Sequence, residues 1–234
     1  MKVIRKFKPS MPDPAAFPTY PKIRQVKAMP VGRRKQVKTH MSDEAEKRYV
    51  VDQGGLPELY PTHLHEAKFW EALGRTVATF GFLEEILGKA IFSFTATKPY
   101  REDEIEEAYA KWFPTLEHAF TDQLGNLIKS YDKAVREHPS TTISNLDELL
   151  HDLHEVSKIR NVLCHGSWRS PDAAGASIPF FVNCQKKVFK TAVDINFLNQ
   201  VQRHTVGLVC AVVDSVTHMG WQFPGSCGPG KSIS

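Results

Sequence analysis

HEAKFWEALGRTVATFGFLEEILGKAIFSFT, residues 65–95, is the stretch that decides the fold class. Within it Trp70, Leu73, Val77, Phe80, Leu83, Leu87, Ile91 and Phe94 recur at intervals of three and four, the spacing of one face of a long helix. A helix with one apolar face needs other apolar faces against it, and the downstream chain supplies them. The charged stretch from Arg101 to Glu107 opens a second helical region. Pro114 is expected to interrupt it, and Leu116, Phe120, Leu124, Leu127, Ile128, Tyr131 and Val135 then resume the helical period. Pro139 and the Ser-Thr-Thr run after it read as a loop. A third helix follows, capped by Ser144 with Asp147 three residues on, its apolar side running from Leu146 through Leu149, Leu150, Leu153, Val156 and Ile159 to Leu163. Ile178–Val182 and Lys187–Val193 are short β-prone runs about an Asn-Cys-Gln-Lys turn and predict a small hairpin, with Pro179 at an edge position. Asp194 caps a last helix striped by Leu198, Val201, Leu208, Val212, Val216 and Met219, with Thr205 as the one polar place in the stripe. Four long helical regions with short connections predict an all-α fold: an antiparallel four-helix-type bundle with one β-hairpin before its last helix.

The chain has 234 residues, of which 41% are apolar, enough for a packed core and far from the compositions of collagen, mucin or a disulfide-built mini-protein. Its apolar runs fall short of the roughly 18 residues that a membrane helix needs, so no membrane partner is expected. The net charge of +4 divides unevenly. Residues 1–41 hold eleven Lys and Arg against one acid, Asp13, a charge of +10; the other 193 residues hold 19 bases and 25 acids, a charge of −6. This division predicts a basic, proline-rich arm over 1–41, a single helical domain over 42–220 and a Gly/Ser-rich tail over 221–234. Six prolines in the arm forbid a long amphipathic helix, and no apolar run follows its charges as in a secretory signal. Its densest cluster, Arg33, Arg34, Lys35 and Lys38, reads either as a contact to RNA phosphates or as a solvated leader. Cys164, Cys184, Cys210 and Cys227 form no C-x-x-C pair, which fits free thiols in a reducing, cytoplasmic setting.

Gly225 to Ser232 satisfies G-x-x-x-x-G-K-[ST] letter for letter, but only two residues follow Ser232. A phosphate loop needs a helix N-terminus to face the phosphates, so the letters are expected to be a coincidence. Metal binding is not expected either. His154 and His165 share a helix face, but eleven residues of helix separate them by about 16 Å, too far for one ion. His63 and His65, just before the first helix, read as a surface pair.

The end of the third helix carries the chemistry. In Ile159-Arg160-Asn161-Val162-Leu163-Cys164-His165-Gly166, Asn161 and His165 are four residues apart and so lie on one face, with Arg160 able to sweep towards them and Gly166 as the stop. An imidazole moves protons near neutral pH, a guanidinium stabilises charge growing on a phosphoryl group, and an amide orients the ring or a substrate oxygen. Those are the parts of a metal-independent ribonuclease. The same residues at the end of a bundle helix also serve as caps and ion-pair partners. Glu84, set among Phe80, Leu83, Leu87 and Ile91, reads as the acid that holds Arg160, or as an acid at the edge of the stripe. Trp168 stacks an RNA base or packs beneath the hairpin.

The segment from Arg160 to His165, late in a bundle helix and followed by a hairpin and one more helix, resembles the R-x4-6-H signature of the HEPN superfamily. The resemblance extends over about residues 65–220 in architecture, with few specific letters. It implies a small, commonly dimeric helical bundle and, as in many members, a metal-independent endoribonuclease without cofactor; because non-catalytic members also exist, the alternative is a non-catalytic RNA-binding or protein-interaction module. It also implies a toxin or defence role, with an antitoxin or a neighbouring defence protein as partner. Arg160 and His165 match the signature pair, and Asn161 the polar residue usual beside the arginine. Where some toxins of that superfamily carry a tyrosine two positions after the histidine, this chain has Ser167.

Overall fold

The 65–95 periodicity becomes helix α1, Ala67–Ala96, in a computed structural model that describes residues 49–228, the side chains of 115, 116 and 118–121 excepted. Arg33, Arg34 and Lys35 of the arm lie outside the described residues, as do Gly230, Lys231 and Ser232. From Asp52 onward the described chain belongs to one unit. Its further helices are α2, Ile105–Thr121; α3, Leu124–Glu137; α4, Leu146–His165; and α5, Ile195–Thr217.

Helix α1 is the hub, touching each of the other four. Its buried arc is therefore wider than the stripe of large residues: Phe69, Ala72, Thr76, Ile86 and Ala90 are covered as well. α5 is its largest neighbour. The Thr76 hydroxyl lies 2.8 Å from Ala72 O and 3.2 Å from Leu198 O of α5. Thr205, the polar place in the α5 stripe, is fully buried and donates to Val201 O at 2.9 Å, a hydrogen bond that offsets the cost of taking its hydroxyl out of water. Asp194 caps α5, accepting from the Phe197 N–H at 2.6 Å. On α3, Tyr131 has no exposed surface. Its hydroxyl donates to Ser215 Oγ on α5 at 2.8 Å, and Ser215 donates on to Val212 O at 2.6 Å. Burial pushes the Tyr131 phenol up to about 12. Beyond α5, Trp221 packs edge-on against His138 at 4.9 Å and Phe94 at 6.0 Å, and Phe223 is buried.

Local expectations change in three places. Pro114 lies inside α2 and does not interrupt it, because a proline removes one backbone hydrogen bond, a loss the helix absorbs; the break between α2 and α3 falls at Asp122 and Gln123 instead. Ser144 is not the cap of α4. Asn145 holds the N-cap position without a side-chain cap bond, and Asp147 pairs with Arg136 of α3, so a tertiary ion pair takes the place of a capping box. Between α4 and α5 the described residues contain no strand. The chain folds back through three isolated antiparallel bridges, Ser167 with Phe180, Ser177 with Val193, and Val182 with Val188. The last two fall in one register with the Phe189 N–H to Phe181 O and Asn183 N–H to Lys187 O bonds, and bring the two β-prone runs together about the turn after Val182; Phe180 pairs with Ser167 instead and Pro179 has no N–H to donate, so no continuous ladder forms.

Candidate functional site at the end of helix α4

The core side of α4, formed by Leu149, Leu150, Leu153, Val156, Val162 and Leu163, is buried, which leaves Asn161, Cys164 and His165 on its exposed side and Arg160 between the two. Arg160 Nη2 lies 3.4 Å from Glu84 Oε1 on α1, with the two side chains 22% and 26% exposed. Glu84 Oε1 is itself buried and accepts no hydrogen bond, so the contact is an ion pair whose geometry falls short of an aligned hydrogen bond. The other terminal guanidinium nitrogen, Nη1, donates to Asn161 Oδ1 at 3.4 Å. His165 follows one turn later. It is exposed and makes no hydrogen bond or ion pair among the described residues. The structure thus brings Glu84, Arg160 and Asn161 together in a row and leaves the His165 imidazole open to solvent on the turn beyond.

Gly166 ends the helix, donating its N–H to Val162 O at 2.8 Å. Its φ of −71° and ψ of 138° are open to any residue, so left-handed backbone is not the reason for a glycine here. Close approach is. A Cβ would lie 2.5 Å from Val162 O and 2.8 Å from Pro179 Cβ, because the returning chain packs directly on the helix end. Ser167 and Phe180 fasten that contact by exchanging backbone hydrogen bonds of 3.0 and 2.8 Å.

Trp168 is half-buried in an aromatic cluster, 5.0 Å from Phe69, 6.2 Å from His65 and 6.3 Å from Trp70, ring edges to faces. His65 stacks on Phe69 at 4.3 Å, and its Nε2 lies 3.0 Å from the buried Ser177 Oγ. Burial lowers its pKa from the ordinary 6.5. The reading of His63 and His65 as a surface pair is therefore corrected: both are half-buried, His65 beneath the loop after α4 and His63 stacked on Tyr60 at 5.8 Å. Nothing in the sequence pointed to this cluster, whose members His65 and Ser177 are 112 residues apart.

Among the described residues no three His, Cys, Asp or Glu side chains converge as a metal site, all four cysteines are free and exposed, and no helix is long and apolar enough to cross a membrane. A cavity of about 720 Å³ opens between α1, α2 and α3, but its lysines pair with its own acids, Lys111 with Glu107 and both Lys98 and Lys133 with Glu137. No family model, curated protein or solved structure matches this chain.

Proposed function

We propose that this protein is a metal-independent endoribonuclease of HEPN type, built on an HEPN-like bundle. In this reading it works as a cytoplasmic homodimer and serves as a toxin or anti-phage effector governed by an antitoxin or defence partner. The observation that carries the reading is an exposed, unbonded imidazole one helical turn from an amide that a half-buried guanidinium holds. In the reaction the RNA 2′-oxygen bonds to the adjacent phosphorus and the bond from phosphorus to the 5′-oxygen breaks. A cyclic phosphate and a 5′-hydroxyl result. His165 moves the protons, Arg160 faces the charge on the phosphoryl oxygens, and Asn161 positions ring or substrate. One proton leaves the 2′-OH and another arrives on the 5′-oxygen, a demand that two imidazoles from two copies of α4 meet.

A second reading, a non-catalytic RNA-binding or dimerisation module, is favoured by the Arg160–Glu84 pair, which engages the guanidinium in a structural contact. Incubation of the full chain with total RNA in EDTA separates the two. Cleavage by the wild type, lost in Arg160→Ala and His165→Ala while both variants stay folded, supports the nuclease. Intact RNA in every reaction sinks it.

A further inference from the structure

We infer that the segment between α4 and α5 is a binding surface for single-stranded RNA, supplying the site at His165 with its substrate; the inference rests on the nuclease reading for that last step only. The body over residues 42–234 carries −6, yet residues 166–193 hold four bases, Arg169, Lys186, Lys187 and Lys190, against Asp172 alone, a local charge of +3. Arg169, Lys186 and Lys187 are exposed and make no ion pair among the described residues. The one acid is engaged within its own turn, where the Asp172 carboxylate accepts from the N–H groups of Ala174 and Ala176 at 2.9 and 3.0 Å. On an acidic protein this is where a polyanion meets the least repulsion.

Charge alone is a weak argument, but the same segment offers a surface for bases. Ile178, Phe180 and Val182 alternate outward, 46%, 53% and 43% exposed, while Ser177 and Pro179 are buried beneath them, and Val188 stands opposite Val182, 48% exposed. The Arg169 guanidinium lies 5.3 Å from the centre of the Phe180 ring. A flat cation on an exposed ring, in a row of apolar side chains flanked by lysines, suits unpaired bases with their phosphates on the bases' charged rim. Duplex RNA hides its base faces and gains only the charge. The surface is also anchored at the chemistry: Phe180 is bonded to Ser167, two residues from His165, and the turn bearing Lys186 and Lys187 projects roughly 10 Å further along the extended chain. Two such ribbons from two copies would bring like charges together, which disfavours a ribbon-to-ribbon contact.

Fluorescence anisotropy of a labelled 20-nucleotide single-stranded 2′-O-methyl oligouridine, which has no 2′-OH to attack, on the full chain tests this. In Arg169→Gln/Lys186→Gln/Lys187→Gln the affinity should fall at least tenfold at physiological salt. The slope of log affinity against log salt should flatten by about 2, at roughly 0.7 per lost phosphate contact. Phe180→Ala should weaken binding with the slope unchanged, and Lys186→Gln/Lys187→Gln leaves the Arg169–Phe180 contact intact should the triple variant lose its fold. Unchanged affinity and slope in the charge variants overturn the proposal. So does equal affinity for a duplex of the same length, or a change in sedimentation without a change in RNA affinity, which would make the segment an interface between copies. The two readings fail separately. RNA bound through Arg169, Lys186 and Lys187 but never cut leaves this surface standing without the nuclease, and RNA cut equally well by the triple variant leaves the nuclease without this surface.

Discussion

Alanine at position 166 would place a methyl carbon 2.5 Å from Val162 O and 2.8 Å from Pro179 Cβ. The backbone there is ordinary, so the exchange by itself would stabilise the protein by about 0.4–1 kcal/mol through a stiffer unfolded chain. The contacts reverse that sign. Neither neighbour is the end of a flexible side chain: one is a carbonyl already accepting the Gly166 N–H, the other a ring carbon on the returning chain. Forcing atoms into a packed site costs about 1–3 kcal/mol, so Gly166→Ala should lose about 1–2 kcal/mol net. In a domain of this size that lowers Tm by about 2–8 °C. Gly175→Ala is the control. At φ 81° with nothing within 4 Å, it pays only the left-handed backbone cost, about 1 kcal/mol. Thermal melts give the sizes, and hydrogen exchange at the Ser167 and Phe180 amides locates the effect: faster in Gly166→Ala, unchanged in Gly175→Ala. Gly166→Ala as stable as wild type, with those two amides still protected, would refute the close-packing argument.

Other groups give smaller tests. The folded His65 has a pKa below its ordinary 6.5, so its contribution is complete above about pH 6.5 and is lost as pH falls towards the folded value. Urea midpoints at pH 7.5 and 5 should therefore converge in His65→Gln relative to wild type, and equal pH slopes in both would remove His65 as the cause. Tyr131 is raised from 10 to about 12, so its stabilisation holds below pH 10 and roughly 2–3 kcal/mol is lost between pH 10 and 12; Tyr131→Phe should flatten that limb, and an unaltered alkaline limb contradicts the assignment. Ser215→Ala strands the buried Tyr131 hydroxyl and should cost about 1–3 kcal/mol, more than Tyr131→Phe, after which Ser215 still donates to Val212 O; the reverse order of melting points would exclude that network. Arg160→Ala leaves Glu84 Oε1 buried opposite nothing and should cost about 1–2 kcal/mol, most of it recovered by adding Glu84→Gln; strictly additive losses would mean the two residues do not act as a pair.

Periodicity alone determined the all-helical class, the core faces of α1, α3, α4 and α5 and the Asp194 cap, because a 3.6-residue repeat and an N-cap are local properties of the chain. It also put Arg160, Asn161 and His165 on one end of one helix. Local rules misjudged Pro114 and Ser144, where one lost hydrogen bond or one cap weighs less than the tertiary contacts around it. Only the tertiary structure decided the rest. It chose between the two readings of Glu84 by setting it against Arg160 of α4, laid Ser177 on His65 and turned the basic 166–193 segment back onto the end of α4. Each of these joins residues far apart in the chain through packing, which no repeat along the sequence encodes. Gly166 shows the division most plainly. Its place at a helix end was legible from the sequence, but its reason for being glycine is a proline thirteen residues on that the fold presses against it.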